Sequence, residues 1–261
     1  MSLSDHEREA LRRAKRLLEH PGLVARIAEV VGTPIDKGLQ RLPVRWQRSI
    51  QSAANKALQV ALSGALASMD KASASQASVR LHKLLGAAAG AAGGFFGPAA
   101  LALELPISTT LMLRSIADIA RAHGEDLREI EPRLACLQVF ALGDAAGAGA
   151  TTDTGYFAVR ASLARAVAEA AKYIAERGIA EEGAPAIVQL VSRLAARFAV
   201  PVSEKALAQA VPVIGALGGA ALNTLFMAHF QAISEGHFSV RELERKHGTA
   251  LVQREYAALS T

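Results

Sequence analysis

The sequence predicts an all-α protein, a compact multi-helix bundle with two central Gly/Ala-rich helical segments. Hydrophobic residues make up 51% of the chain but aromatic residues only 5%, so Ala, Leu, Val and Ile carry the apolar content. Ala and Leu favour helices. Helix-capping residues, glycines and prolines divide the chain into helix-sized pieces. No stretch has the alternating pattern of a β-strand.

The first elements follow from caps and apolar spacing. Ser4 and Glu7 form a predicted capping box at the start of a helix that ends near Pro21. A short helix is predicted to about Val31, and Pro43 opens a long one. In that long helix apolar residues recur every four positions, which predicts a core face: Trp46, Ile50, Ala54, Leu58, Leu62 and Leu66. Residues 70–78 predict a polar, Ser-rich loop.

Residues 84–103 form a charge-free run of bilayer-spanning length that is interrupted by glycines and Pro98. Two structures compete here. One is a transmembrane helix, and the other is a helix to about Gly93, a Gly-Phe-Phe-Gly turn and a new helix from Pro98. Glycine costs about 1 kcal/mol per interior helix position relative to Ala, so the sequence favours the second.

The second half predicts further helices over Pro106–His123, from Glu131, over Gly155–Arg177 and over Pro185–Phe198. A second charge-free run, Ala206–Ala228, is broken by Pro212. Ser239 and Glu242 predict another capping box, and Gly248 a helix stop. Small residues four apart in both charge-free runs indicate closely packed innermost helices. We expect an N-terminal helical extension over residues 1–42 and an all-helical domain over residues 43–261.

The positive charge of the chain is unevenly distributed. Between Lys37 and Leu103 there are eight basic residues and one acid, Asp70. This pattern fits either a solvated basic face or contact with membrane headgroups. No nucleic-acid partner is expected, because the segment has no recognisable binding motif. The residues expected to contact lipid are Arg80, Lys83, Phe95, Phe96 and Leu101.

The compartment follows from the cysteine count and the first residues. Cys136 is the single cysteine of the chain, so an intramolecular disulfide is excluded and a reducing compartment is expected. The first twenty residues are rich in charge and have no apolar core, so they do not form a signal peptide. We therefore expect a cytoplasmic protein, peripheral at the inner face of the membrane.

No catalytic motif, cofactor motif or metal-ligand spacing occurs, so no cofactor and no metal ion is predicted. Glu235 and His237 offer at most two metal ligands. Several polar residues are embedded in apolar sequence, which predicts a buried network that fixes helix register: Glu104, Arg114, Asp118, Asp144, Asp153, Tyr156, Asn223 and His229.

Three long stretches carry a family resemblance. GAAGGFFGPAALALELPISTTLMLRSIADIARAHGEDL, DTGYFAVRASLA and PVIGALGGAALNTLFMAHFQAISEGHFSVRELERKHG are similar to segments of the EcsC protein family. The resemblance extends from about Trp46 to Tyr256. It implies a bacterial, intracellular, all-helical protein and, through the ABC-transporter locus after which the family is named, a membrane transport system as partner. It implies no reaction and no catalytic residue.

These observations rank three functions. The first is a non-enzymatic, peripheral membrane or lipid-contacting accessory protein. The second is a soluble acyl-chain carrier, in which the two small-residue runs enclose a cavity and Arg114 or His229 meets the polar head. The third is an enzyme whose site sits at the glycine-rich break near Asp144, with five candidate residues: Asp118, His123, Asp144, Asp153 and Tyr156.

Overall fold

The computed structural model describes residues 3–19, 23, 44–68, 98–143, 155–177, 184–210 and 219–259. Across these ranges the chain forms eight α-helices and no β-strand, which confirms the predicted all-α class. The helices are α1 (Asp5–Leu18), α2 (Val44–Ser68), α3 (Pro98–Ala122), α4 (Ile130–Leu142), α5 (Gly155–Arg177), α6 (Pro185–Ala210), α7 (Gly219–His247) and α8 (Thr249–Ala258).

The predicted capping box at the start of α1 is present. The Ser4 hydroxyl accepts from the Glu7 backbone N–H, and the Glu7 carboxylate accepts from the Ser4 backbone N–H at 3.0 Å. Both bonds satisfy backbone donors that the first turn of a helix leaves without partners. The predicted apolar face of α2 is also confirmed, because Ile50, Ala54 and Leu58 are at most 1% exposed.

Two helices continue through a proline at or near a predicted helix boundary. Pro106 lies inside α3 and Pro201 lies inside α6. The predicted start at Pro106 and end at Phe198 are therefore wrong. A proline inside a helix removes one backbone hydrogen bond, and burial of the flanking side chains offsets that loss, since Leu105 and Val202 are fully buried.

The predicted capping box at Ser239 and Glu242 is also wrong, because both residues lie inside α7. The Glu242 carboxylate faces the ring of His123 instead. The next break comes at Gly248, as predicted, where the backbone adopts φ +85°. Only glycine adopts such a conformation readily, and α8 begins immediately afterwards.

The core lies around α4, whose residues Pro132–Leu142 are all buried. Helix α4 packs against α3, α5, α6 and α7, and α2 packs against α3 and α6. Four phenylalanines from α4, α6 and α7 form an aromatic cluster with ring centroids 5.0–6.2 Å apart: Phe140, Phe198, Phe226 and Phe230. Such aromatic contacts add about 1 kcal/mol per pair to area burial.

Helix α1 packs against α7 and α8 and thereby joins the beginning of the described chain to its end. The backbones of α1 and α7 approach closely at Gly236, where an added Cβ would lie 2.8 Å from Leu18 Cγ and 3.0 Å from the Ala14 carbonyl oxygen. The loop predicted at residues 70–78, the Gly-Phe-Phe-Gly turn and the break at Pro212 lie outside the described residues.

Candidate functional site

A buried polar chain links α5 to α7. The Tyr156 hydroxyl lies 2.9 Å from His237 Nδ1, and both side chains are almost completely buried. One turn further along α5, Arg160 donates to the Tyr156 hydroxyl at 3.2 Å and to both carboxylate oxygens of Glu244. The Tyr156 hydroxyl can either donate to or accept from Nδ1, according to which ring nitrogen of His237 carries the single N–H of a neutral imidazole.

Burial fixes the protonation states in this chain. Burial raises the pKa of Tyr156 above its ordinary range. Burial, together with the positive charges of Arg160 and Arg241, holds the pKa of His237 well below its ordinary value. The tyrosine therefore stays a phenol and the histidine stays neutral near pH 7. Neither group is an activated base or nucleophile in this arrangement.

A second polar cluster joins α7 to the connection between α3 and α4. Glu125 accepts from Arg241 Nε at 2.7 Å and also from Arg245, while Arg241 reaches Glu131 at 2.9 Å. Although burial opposes it, the two carboxylates raise the pKa of Arg241 above its ordinary value. Arg133 contributes from α4 by donating to the backbone carbonyl of Leu127 at 2.7 Å. These contacts anchor residues 123–131 to α7.

A groove of about 640 Å³ lies between α1 and α7. The ring of His123 stands at its edge, with Nδ1 2.9 Å from Glu242 and Nε2 3.0 Å from Glu235. Lys246 and His123 lower the pKa of Glu242. The residues that line the groove are polar except for Ala10, Ala14, Leu17 and Leu243: His6, Glu7, Glu9, Arg13, His123, Glu235, Ser239, Glu242 and Lys246.

The residues predicted to form one buried polar network are distributed over separate places. Glu104 is buried and accepts from Lys205 at 2.6 Å, which joins α3 to α6. The Nε2–H of His229 donates to the Gly143 carbonyl at 2.8 Å. Asp118 is 77% exposed and pairs with Arg121. Arg114 and Asn223 are half-buried, and Asp144 and Asp153 lie outside the described residues.

The candidate enzyme residues that the structure describes do not share one pocket. His123 lines the groove, whereas Asp118 and Tyr156 do not. Glu235 and His237, considered as metal ligands, have different partners, His123 and Tyr156. Across the described ranges, no three His, Cys, Asp or Glu side chains are arranged to hold a metal ion.

Two buried lysines were not predicted from the sequence, although the apolar helix faces on which they lie could have indicated them. Lys15 is 1% exposed and Lys205 is 0% exposed. Lys15 shares one helix face with Leu11 and Leu18, and Lys205 shares one with Phe198 and Val202. A lysine at an apolar position of a helix face predicts a buried ammonium that must have a partner.

Exposed apolar side chains occur on one group of packed helices. In the described part of the chain, the large aliphatic residues that are more than a third exposed are Val60 (43%) on α2, Ile107 (39%) on α3, and Val188 (44%) and Val200 (36%) on α6. Helix α2 packs against both of the others. Helix α2 contains no acidic residue and α6 only Glu204, while Arg48, Lys56 and Arg193 are exposed on them.

Of the predicted lipid contacts, one lies in a helix that the structure describes. Leu101 belongs to the first turns of α3. Arg80, Lys83, Phe95 and Phe96 lie outside the described residues. So do residues 84–97 and 211–218, which are most of the first glycine-rich stretch and the middle of the second. The acyl-chain cavity predicted between those stretches therefore has much of its expected lining outside the described residues.

Fold and site define a helical protein in which buried ion pairs join helices that are distant in sequence. The chain belongs to the EcsC protein family, whose pattern matches residues 5–243. The match begins within α1 and so includes part of the segment predicted as an extension. Comparison with curated proteins finds no match. Comparison with solved structures also finds none.

Proposed function

We propose that this protein is a non-enzymatic, peripheral membrane-contacting protein that binds anionic lipid through the outer faces of α2 and α6. The observation that carries the proposal is the coincidence of exposed Val60, Val188 and Val200 with exposed basic residues on two helices that pack together. Aliphatic and basic groups together are what a negatively charged lipid surface attracts.

The charge of these two helices supports this partner. Arg48 and Lys56 are exposed on α2, and Arg193 is exposed on α6. The lone acidic residue of the two helices, Glu204, is half-buried. Each basic side chain near an anionic membrane surface contributes about 1 kcal/mol to binding. Three such side chains without an opposing exposed acid give a net attraction to lipid headgroups.

The apolar contribution is modest and suits a reversible contact. Val188 and Val200 are twelve residues apart on α6, so about 18 Å of that helix separates them. Residues Pro185–Ala208 are long and apolar enough to cross a membrane, by length and composition alone. Of the most apolar 18-residue stretch in this segment, 39% is buried inside the protein. Core helices also meet this criterion. The proposal uses the outer face of α6 as a contact surface and needs no insertion across the bilayer.

The test is flotation of the full chain with vesicles of phosphatidylcholine alone and of phosphatidylcholine mixed with phosphatidylglycerol, at low and at raised salt. We expect binding to the anionic vesicles that weakens with salt, because screening shortens the reach of the charges. A triple variant with Arg48→Gln, Lys56→Gln and Arg193→Gln is expected to bind roughly a hundredfold more weakly.

The matched control removes the same charge elsewhere. Arg16, Arg128 and Arg254 are exposed on α1, on the connection between α3 and α4, and on α8. The corresponding triple glutamine variant should retain binding because these side chains lie outside α2 and α6. Absence of wild-type binding to either vesicle, or equal loss in the two triple variants, would overturn the proposal.

A further inference from the structure

His123 occupies the junction between α3 and α7. It follows the last residue of α3, and Gly124, with φ +76°, turns the chain away. The side chain is 20% exposed, and its two ring nitrogens face Glu235 and Glu242, both on α7. These carboxylates are seven residues apart, about 10 Å along the helix, so the ring bridges two turns.

The chemistry of this bridge depends on a proton. An ionised carboxylate only accepts hydrogen bonds, and a neutral imidazole has one N–H and one lone pair. A neutral His123 therefore donates to one carboxylate and turns a lone pair toward the other at about 3 Å. The imidazolium form donates to both. The geometry of the bridge is fully satisfied only by the protonated ring.

Several charged side chains surround this bridge. Lys246 Nζ lies 2.6 Å from Glu242, and Arg245 donates to the His123 carbonyl oxygen. Glu125, the neighbouring acid of the connection, is held by Arg241 and Arg245. The titratable and charged groups that α1 presents to the same groove are His6, Glu7, Glu9 and Arg13. When His123 changes its protonation state, Glu242 keeps its contact with Lys246, and only its contact with His123 is affected.

We propose that His123 is a proton-operated latch between the end of α3 and α7, which bonds to both carboxylates when the ring is doubly protonated and is released from one of them when the ring is neutral. Release removes one of the contacts that hold residues 123–129 on α7 and takes a positive charge from the edge of the groove. Arg241 and Arg245 continue to hold Glu125, so the change is local. This inference is independent of the lipid contact, which involves other helices.

The test is a double-mutant cycle in the full chain with His123→Gln, Glu235→Ala and the double variant, using urea unfolding at about pH 5.5 and about pH 8.5, on either side of the ordinary imidazole range. We expect the His123–Glu235 coupling to raise the folding equilibrium constant about threefold at the acid pH. At the alkaline pH the coupling should be weaker, because the neutral ring donates to only one of the two carboxylates. The control cycle, Arg241→Gln with Glu131→Gln, joins groups that keep their charge over this range, so its coupling should be unchanged.

Hydrogen exchange of the wild-type chain gives a second readout that requires no variant. After correction for the intrinsic exchange rate, amides 123–129 should open more often at about pH 8.5 than at about pH 5.5. A His123–Glu235 coupling that is equal at the two pH values, or opening of residues 123–129 that does not increase with pH, would overturn the latch.

Discussion

The ammonium of Lys15 lies 2.6 Å from the carbonyl oxygen of Leu259 and 3.2 Å from that of Tyr256. Lys15 is on α1, and both acceptors lie at the end of α8, where helix carbonyls lack intrahelical partners. The side chain is 1% exposed, and its Nζ also lies 5.3 Å from the centre of the Tyr256 ring. The positive charge therefore sits at the negative end of a helix dipole.

Replacing Lys15 with Met tests the worth of this contact. The substitution keeps the length of the side chain but leaves two buried carbonyls without their charged donor. We expect the free energy of unfolding to fall by about 2 kcal/mol, and the amides of residues 249–259 to exchange faster. The neighbouring exposed Arg16→Met should change stability by less than about 0.5 kcal/mol. Equal effects of the two substitutions would contradict the predicted role of Lys15.

The Lys205–Glu104 pair predicts a strongly non-additive result. Both side chains are at most 4% exposed, and removal of one partner leaves the other charge buried alone. Lys205→Met and Glu104→Leu should each cost about 3–5 kcal/mol. The double variant should be more stable than either single variant, because it buries no charge. Urea unfolding of the four proteins measures this, and simple addition of the two losses would refute it.

His237 predicts a loss of stability in acid. Its pKa in the folded chain is held well below 6.5 by burial, with Arg160 and Arg241 nearby. The unfolded chain therefore binds a proton near pH 6.5 that the folded chain does not bind. Stability present above that pH is lost as the pH falls, by about 1.4 kcal/mol per unit. His237→Gln should lower this slope between about pH 6.5 and about pH 5.

The control for this pH dependence is an exposed histidine. His6 is exposed on α1, so His6→Gln should leave the slope of the wild-type chain unchanged. Urea unfolding at several pH values gives the three curves. Parallel curves for the wild-type chain and His237→Gln would show that the buried ring takes up its proton in the folded state as readily as in the unfolded one.

Two glycines inside helices should respond to alanine in opposite directions. At Gly236 a Cβ would meet Leu18 Cγ at 2.8 Å and the Ala14 carbonyl oxygen at 3.0 Å, so Gly236→Ala must push α1 away from α7. We expect a loss of about 1–3 kcal/mol. At Gly64 a Cβ would meet nothing within 4 Å. Gly64→Ala should therefore gain about 0.5–1 kcal/mol of helix propensity. Thermal unfolding of both variants gives the comparison.

Local signals predicted the parts of the fold that depend on neighbours in sequence. The caps of α1, the apolar face of α2 and the bounds of α5 all follow from residues within a few turns of each other. The uninterrupted course of α3 and α6 through Pro106 and Pro201 does not, because tertiary burial outweighs the local preference.

The candidate site depended on contacts that no local pattern contains. His123 meets Glu242 across 119 residues, and Tyr156 meets His237 across 81 residues. The sequence singled out Tyr156 as an embedded polar residue but had no means of giving it a partner. Ser239 and Glu242 have the spacing of a cap, and the continuation of α7 through them shows that spacing alone does not end a helix.

The contact of α1 with α7 and α8 has a consequence for synthesis on the ribosome. Helix α1 is translated before α7 and α8, and the carbonyl of Leu259, which accepts from Lys15, lies 244 residues further along the chain. Until α7 and α8 have been synthesised, Leu11 and Leu18 lack the helices against which α1 packs in the fold. A nascent α1 can therefore bury the Lys15 ammonium against its two carbonyl acceptors only after α8 has been made.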